Sequence, residues 1–243
     1  MEDMKMRFPA AIAALCLVAA SCAYISNINR VHGDGNIVTV SRPVTNFQQV
    51  SVGGCGHITL LQGNEEGLTI QTDSNLLAYI TTSVSNGQLW IGPNNVNLEP
   101  TKDIHYVLKF KDLRSLRCSG AINAHAERLT ARNLNLDASG ASSLQIDSLQ
   151  ADRLQADLSG ASHAELGGAA ASQRVSISGA SRYEAGRLQT DRAQVTASGA
   201  SHARLTVNGP LGADASGASS IRYAGEASVR PHTSGASSIQ AVD

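Results

Sequence analysis

Asp137 and Asp157 stand twenty residues apart, each two residues ahead of a Ser-Gly-Ala triplet. If the two positions are equivalent on successive turns of a repeating structure, their backbones lie about 4.8 Å apart. Carboxyl groups about 5–5.5 Å apart are what a retaining glycosidase uses, one as acid and base and one as nucleophile. The competing reading is a solvated outer face, with Arg117 one repeat earlier to offset the repulsion. Nothing in the sequence marks a deep, low-dielectric site that would drive the two pKa values apart. The outer-face reading is therefore preferred, and no catalytic residue is assigned.

His57, His163 and His202 form a second constellation, each falling at the same place after a glycine-rich corner. A zinc site needs ligand atoms about 2.0–2.1 Å from the metal. His163 and His202 are two repeats apart, roughly 9.6 Å at the spacing of paired strands. Arg182 occupies the position between them, and a fixed cation opposes a second one. A surface or structural role is preferred, and no metal or cofactor is expected. The chain carries no nucleophile motif, phosphate-binding loop or Cys-x-x-Cys pair. Trp90, between Leu89 and Ile91, faces outward if those two face inward. It is the one candidate for a carbohydrate platform, its alternative being to pack on a capping hairpin. Tyr183 and Tyr223 fall in inward columns and read as core.

The element that positions these groups is a repeat. Ser119, Ser139, Ser159, Ser178, Ser198, Ser216 and Ser234 each begin a Ser-Gly-Ala corner, with spacings of 20, 20, 19, 20, 18 and 18. Periods of this length signal a solenoid. Five residues past each Ser come Ala124, Leu144, Ala164, Tyr183, Ala203, Ile221 and Ile239. Seven past come Ala126, Ile146, Leu166, Ala185, Leu205, Tyr223 and Ala241, with a polar residue between the two columns every time. That alternation is the period of a strand with one buried face. A Gly/Ser linker, the alternative reading, would show no such order. Strands this short must pair with their equivalents above and below. The expected fold is all-β: a parallel β-helix with coils of about 18–20 residues. At a tight corner glycine takes conformations denied to other residues, and small side chains let successive corners stack.

Residues 31–115 follow the plan loosely. The stretch "VSVGGCGHITL" is a degenerate corner, with Val50 and Val52 before it and Ile58 and Leu60 after it. Asn86-Gly87 between alternating strands is a hairpin signal, "SNLLAYI" reads as a single helical turn, and "IHYVLKF" as a strand. This part is read as irregular first coils plus an excursion that caps the amino-terminal end; residues 116–243 are the regular repeats.

Lys5 and Arg7 precede an apolar run from Phe8 to Ala20, too short to span a bilayer and patterned as a secretory signal over residues 1–21. Cys22 follows small residues as in a bacterial lipobox, which makes it the expected lipidation site, heading a tether over 22–30. Ala19 stands where a larger aliphatic residue is usual, and the alternative is ordinary cleavage nearby. Cys55 and Cys118 are too few for a disulfide framework, and a three-residue offset between them, roughly 10 Å, opposes their bonding. The formal net charge of −1 argues against nucleic acid as a partner.

The order of "GDGNIVT", "FQQVSVGGCGHITLLQG", "DSNLLAYI", "NGQLWIG", "LEPTKDIHYVLKF" and the iterated Ser-Gly-x corners resembles the head GIN domain family of autotransporter adhesins, bacterial secreted lipoproteins. The resemblance covers residues 31–243 and implies a right-handed β-helix with a cell-surface role. The family's usual corner is Ser-Gly-Ser-Gly-Asp. Here the Asp position holds Ser143, His163, Arg182, His202, Ser220 and Ser238, so no acidic column carries over.

The preferred function is a non-enzymatic cell-envelope or surface lipoprotein, an adhesion or interaction scaffold held at the outer membrane through Cys22, with an envelope protein or glycan as partner. A periplasmic location is the alternative. The competing functions are a β-helix polysaccharide lyase or hydrolase, which would need loops walling a groove, and an envelope spacer without ligand. The small, polar carboxy-terminal coil predicts a mainly monomeric domain with weak end-mediated association.

Overall fold

The computed structural model describes residues 29–242. The chain winds as a β-solenoid of about six turns, and from Ser115 onward each strand pairs in parallel with its equivalent one coil away. Asp137 pairs with Asp157, Leu144 with Ala164, Ala164 with Tyr183, and Tyr183 with Ala203. The predicted inward columns are buried through Ile221 and Leu205 and loosen beyond them: Tyr223 and Ile239 are half-buried and Ala241 is exposed. Each coil up to Ala215 also buries three positions just before the next corner: Leu154, Ala156 and Leu158 in one, Ala193, Val195 and Ala197 in another.

The corner is the most repetitive element because backbone packs on backbone there. Gly140, Gly160, Gly179, Gly199, Gly217 and Gly235 all have φ between +71° and +75°. A Cβ built on Gly160 would sit 2.8 Å from the carbonyl oxygen of Gly140, and the same approach recurs up the stack. The second serine of the corner faces inward. Ser142, Ser162, Ser181, Ser201 and Ser219 are buried, and their hydroxyls donate to corner carbonyls, as Ser142 Oγ does to the oxygen of Ser139 at 2.9 Å and Ser219 Oγ to that of Ala197 at 3.1 Å. Burial without those bonds would be costly.

Coil length varies mainly at one bend. Ile146 pairs with Leu166 and Leu149 with Gly168, so one residue is lost between them. Gly167 and Gly168 take the shortened path: a Cβ at Gly167 would lie 2.5 Å from the carbonyl of Asp147. The first 18-residue coil loses three residues at the same bend, where Ala185 pairs with Leu205 but Gln189 with Thr206, and regains one at the next bend, around Asn208-Gly209, where Thr190 pairs with Val207 but Ala193 with Leu211.

The amino-terminal cap is a second layer under the first coil. The hairpin of Ile80–Ser85 and Gln88–Pro93 turns at Asn86-Gly87, both with positive φ. Gln88–Pro93 then lies parallel to Gln49–Val52, and His105–Phe110 parallel to Cys55–Gln62. Gly67–Asp73 pairs antiparallel with Ile37–Arg42 and with His105–Phe110, and Ser74–Tyr79 forms a 3-10 turn. Here the core holds large side chains, Phe47, Tyr106 and Phe110, whereas Tyr183 is the only fully buried large aromatic of the repeats among the described residues. Buried Asp73 ties the cap together. It accepts hydrogen bonds from Gly35 N at 2.7 Å, Thr101 N at 2.9 Å and Thr101 Oγ1 at 2.6 Å. At the other end Ser228–Thr233 is an outer strand carrying Pro231, which has no N–H to offer a further strand.

Candidate functional site

The carboxylate pair faces outward beside neighbours that already engage it. Arg117 Nη2 lies 3.5 Å from Asp137 Oδ2, and Gln155 Nε2 donates to Asp157 Oδ2 at 2.8 Å. Both carboxylates are partly solvated, and neither lines the main groove of the molecule.

The histidines share the register predicted for them. His57 pairs with Asn123, and the column continues through Ser143, His163, Arg182 and His202. The guanidinium-bearing Arg182 stands between the last two histidines. His57 stacks on His105, ring centroids 5.4 Å apart, and its Nε2 lies 3.2 Å from Asp103 Oδ2. Among the described residues no three His, Cys, Asp or Glu side chains converge on a point.

Trp90 is half-buried between the buried Leu89 and Ile91. Its ring lies across two glycines: Cβ atoms at Gly53 and Gly92 would meet it at 3.0 and 2.9 Å. One face of the indole thus covers the degenerate first corner, which leaves less of it to receive a ligand. Burial pushes the Cys118 thiol up to about 12, and raises that of Cys55, with the Asp103 charge adding to it. Neither is primed as a nucleophile, which requires a lowered pKa. The two thiols are free and three positions out of register, Cys118 pairing with Val52 and Cys55 with Ala121. Cys22 lies outside the described residues.

The structure adds a site that the sequence reading passed over. A groove of about 800 Å³ runs along the solenoid, lined by Arg153, Arg174, Arg192 and Arg230. Two outward columns form its rails. Asn133, Arg153, Ser172 and Arg192 are one; Asn135, Gln155, Arg174 and Gln194 are the other, continued by Gly212 and Arg230. Its floor is the column between them, with the buried Leu154, Ala193 and Leu211. Small side chains at Ser172, Ala193 and Gly212 leave the strip concave. Gln173, also in the floor column, is held by the Tyr183 hydroxyl, which donates to its Oε1 at 2.8 Å, and its Nε2 donates to Thr190 Oγ1 at 2.9 Å. The signal was available: the rails lie six and four residues before each corner Ser.

Comparison with known proteins follows the fold. The family model described as "Putative auto-transporter adhesin, head GIN domain" matches residues 46–227. A crystal structure of a putative adhesin from Bacteroides fragilis superimposes with a TM-score of 0.82 at 20% identity, covering 87% of this chain and all of that one. A structure from Parabacteroides distasonis described as a "putative lipid binding protein" gives 0.71 at 20% identity, covering 88% and all of that chain. A putative adhesin from Parabacteroides merdae gives 0.67 at 20%, with the same coverage. No curated protein matches the chain.

Proposed function

The chain belongs to the family of auto-transporter adhesin head GIN domains, and on that premise we propose that it is a non-enzymatic interaction scaffold of the bacterial envelope. The observation that carries this reading is the construction of the coils. From Ser115 to Ala215 the strands follow one another with only corners and short bends between them, so outward side chains form continuous columns, and no inserted loop there walls the open groove that two of them border. Catalysis by Asp137 and Asp157 would need two carboxyl groups in different environments; both stand on the same outward column, each with its own polar neighbour. Cys22 is the proposed lipid attachment point, which would hold the solenoid at the outer membrane.

The test has two arms. Mass spectrometry of the exported full-length protein should find acyl chains on Cys22, lost in Cys22→Ala. Bacteria displaying the protein should adhere to immobilised envelope or host-surface glycans, and those displaying a scrambled solenoid should not. Release of reducing ends from any polysaccharide by the purified protein would instead support the lyase or hydrolase reading.

A further inference from the structure

We propose that the arginine-lined groove binds a linear acidic polysaccharide whose negative charges are uronate carboxylates. This rests on the scaffold reading and names the ligand class of one of its faces.

Charge comes first. The chain has a formal net charge of −1, yet among the described residues no carboxylate lines the groove and four guanidinium groups do. None of Arg153, Arg174, Arg192 and Arg230 lies within ion-pair distance of a described carboxylate, so no neighbouring acid competes with a ligand for them. A guanidinium presents a planar fork that matches a carboxylate with two parallel hydrogen bonds.

Spacing comes second. Arg153, Arg174 and Arg192 occupy three successive coils and alternate between the two rails; after the coil that carries Gly212, Arg230 follows. The rails are two residues apart along each strand, about 7 Å, and the coils about 4.8 Å. An extended chain of pyranoses advances by a similar distance per sugar. In a two-fold screw conformation it presents successive carboxylates to alternate sides, as these three arginines require. The four guanidiniums span four coil spacings, roughly 19 Å, enough for several sugars.

The remaining lining suits sugar. Asn133, Asn135, Gln155 and Gln194 offer amide donors and acceptors to hydroxyls, while Leu154, Ala193 and Leu211 give a low apolar floor for the carbon face of a ring. Single-stranded nucleic acid would want aromatic side chains for base stacking, and the lining has none. A bilayer surface would touch the rails without reaching the floor.

Immobilised polygalacturonate, with dextran as the neutral control, tests the proposal on the full chain by biolayer interferometry across a salt series. Three variants accompany the native protein: Arg153→Gln/Arg174→Gln/Arg192→Gln; Arg182→Gln/Arg204→Gln/Arg222→Gln, which removes the same charge from the exposed corner side; and Arg192→Lys. Circular dichroism checks that all are folded. The native protein should bind polygalacturonate and not dextran. The groove triple should lose at least about tenfold in affinity, as expected when charge-assisted hydrogen bonds go, and the corner triple less than about twofold. Arg192→Lys should lose severalfold despite its retained charge. Equal losses in both triples, an Arg192→Lys that binds like the native protein, or no binding to polygalacturonate at low salt would overturn the proposal. Cell adhesion measured in parallel separates the two ideas: adhesion intact without polyuronate binding leaves the scaffold and removes this ligand.

Discussion

Gly160→Ala is the substitution on which the corner argument can be worked through. Two costs meet at this residue. Its φ of +75° is a conformation in which an L-residue with a Cβ is strained by roughly 1–2 kcal/mol. Its Cβ would also stand 2.8 Å from the carbonyl oxygen and 3.1 Å from the nitrogen of Gly140. That oxygen cannot retreat, because it accepts a 2.8 Å hydrogen bond from Ala161 N. Overpacking of this kind costs about 1–3 kcal/mol, so the sum is about 2–5 kcal/mol. Two controls separate the terms. Gly87 has φ +76° and nothing within 4 Å of a built Cβ, so Gly87→Ala should show the conformational cost alone. Gly67 has neither positive φ nor a near neighbour, and Gly67→Ala should be neutral, or stabilising by up to about 1 kcal/mol through the unfolded chain. Urea unfolding followed by circular dichroism gives the three values, provided the slopes with denaturant agree. A Gly160→Ala cost no larger than that of Gly87→Ala would refute the close stacking of corners, and with it the reason for the repeat.

Leu144→Asp, at a buried inward position, should cost several kcal/mol through an unpaired buried charge, while Gln145→Asp on the outer face should change little; equal melting temperatures would remove the alternation argument. Burial by itself would raise the Asp73 carboxyl, but the hydrogen bonds from Thr101 and Gly35 together outweigh it and hold the group below the usual 3.8. A lowered folded pKa contributes stability that is present above about pH 4 and lost as pH falls through the folded value. Asp73→Asn should therefore melt lower at neutral pH, and its acid-side loss of stability should be shallower than the native protein's. In the native protein iodoacetamide should spare Cys118, label Cys55 slowly and label both after denaturation, with no 55–118 linked peptide in the mass spectrum. Light scattering across a concentration series should show a mainly monomeric protein, and any association should fall with Ile239→Lys; association that survives it would move the contact to the side faces.

The inward columns after each corner, from Ala124 to Ile221, were legible because one buried face imposes strict alternation on a strand. The corner glycines were legible because positive φ and backbone contact leave no other residue. The inward-facing second serine was legible only by carrying the alternation back from Leu144 into the corner, where His163, Arg182 and His202 mark its outward neighbour; Ser142 and Ser143 by themselves are alike. The arginine rails escaped for a matter of register. Residues are lost at the bend near Gly167 and near Thr206, so counting forward from a corner loses alignment beyond that point. Arg153 is fourteen residues past Ser139, whereas its rail neighbour Ser172 is thirteen past Ser159. Counted back from the following Ser, both stand at minus six. Asp73 escaped because its partners, at Gly35 and Thr101, are far away in sequence.

The division of labour within a coil explains how such a scaffold can acquire a binding face. Corner glycines and inward serines hold the coils in register through backbone contacts, and the inward columns supply burial. Outward positions on the straight faces carry little of either task, so their side chains are free to differ from coil to coil without loss of fold. One outward column here reads Arg117, Asp137, Asp157, Ser176, Thr196 and Asp214, mixed in charge and partly self-neutralised at its start. Two positions back along each coil, the column that runs through Gln155, Arg174, Gln194 and Arg230 has no acid at all. Folding makes the same small demand on both columns, so folding does not account for the difference between them. What distinguishes the second is its place on the rim of a groove, where unpaired guanidinium groups in an otherwise near-neutral protein gain most from an anionic ligand that follows the same axis.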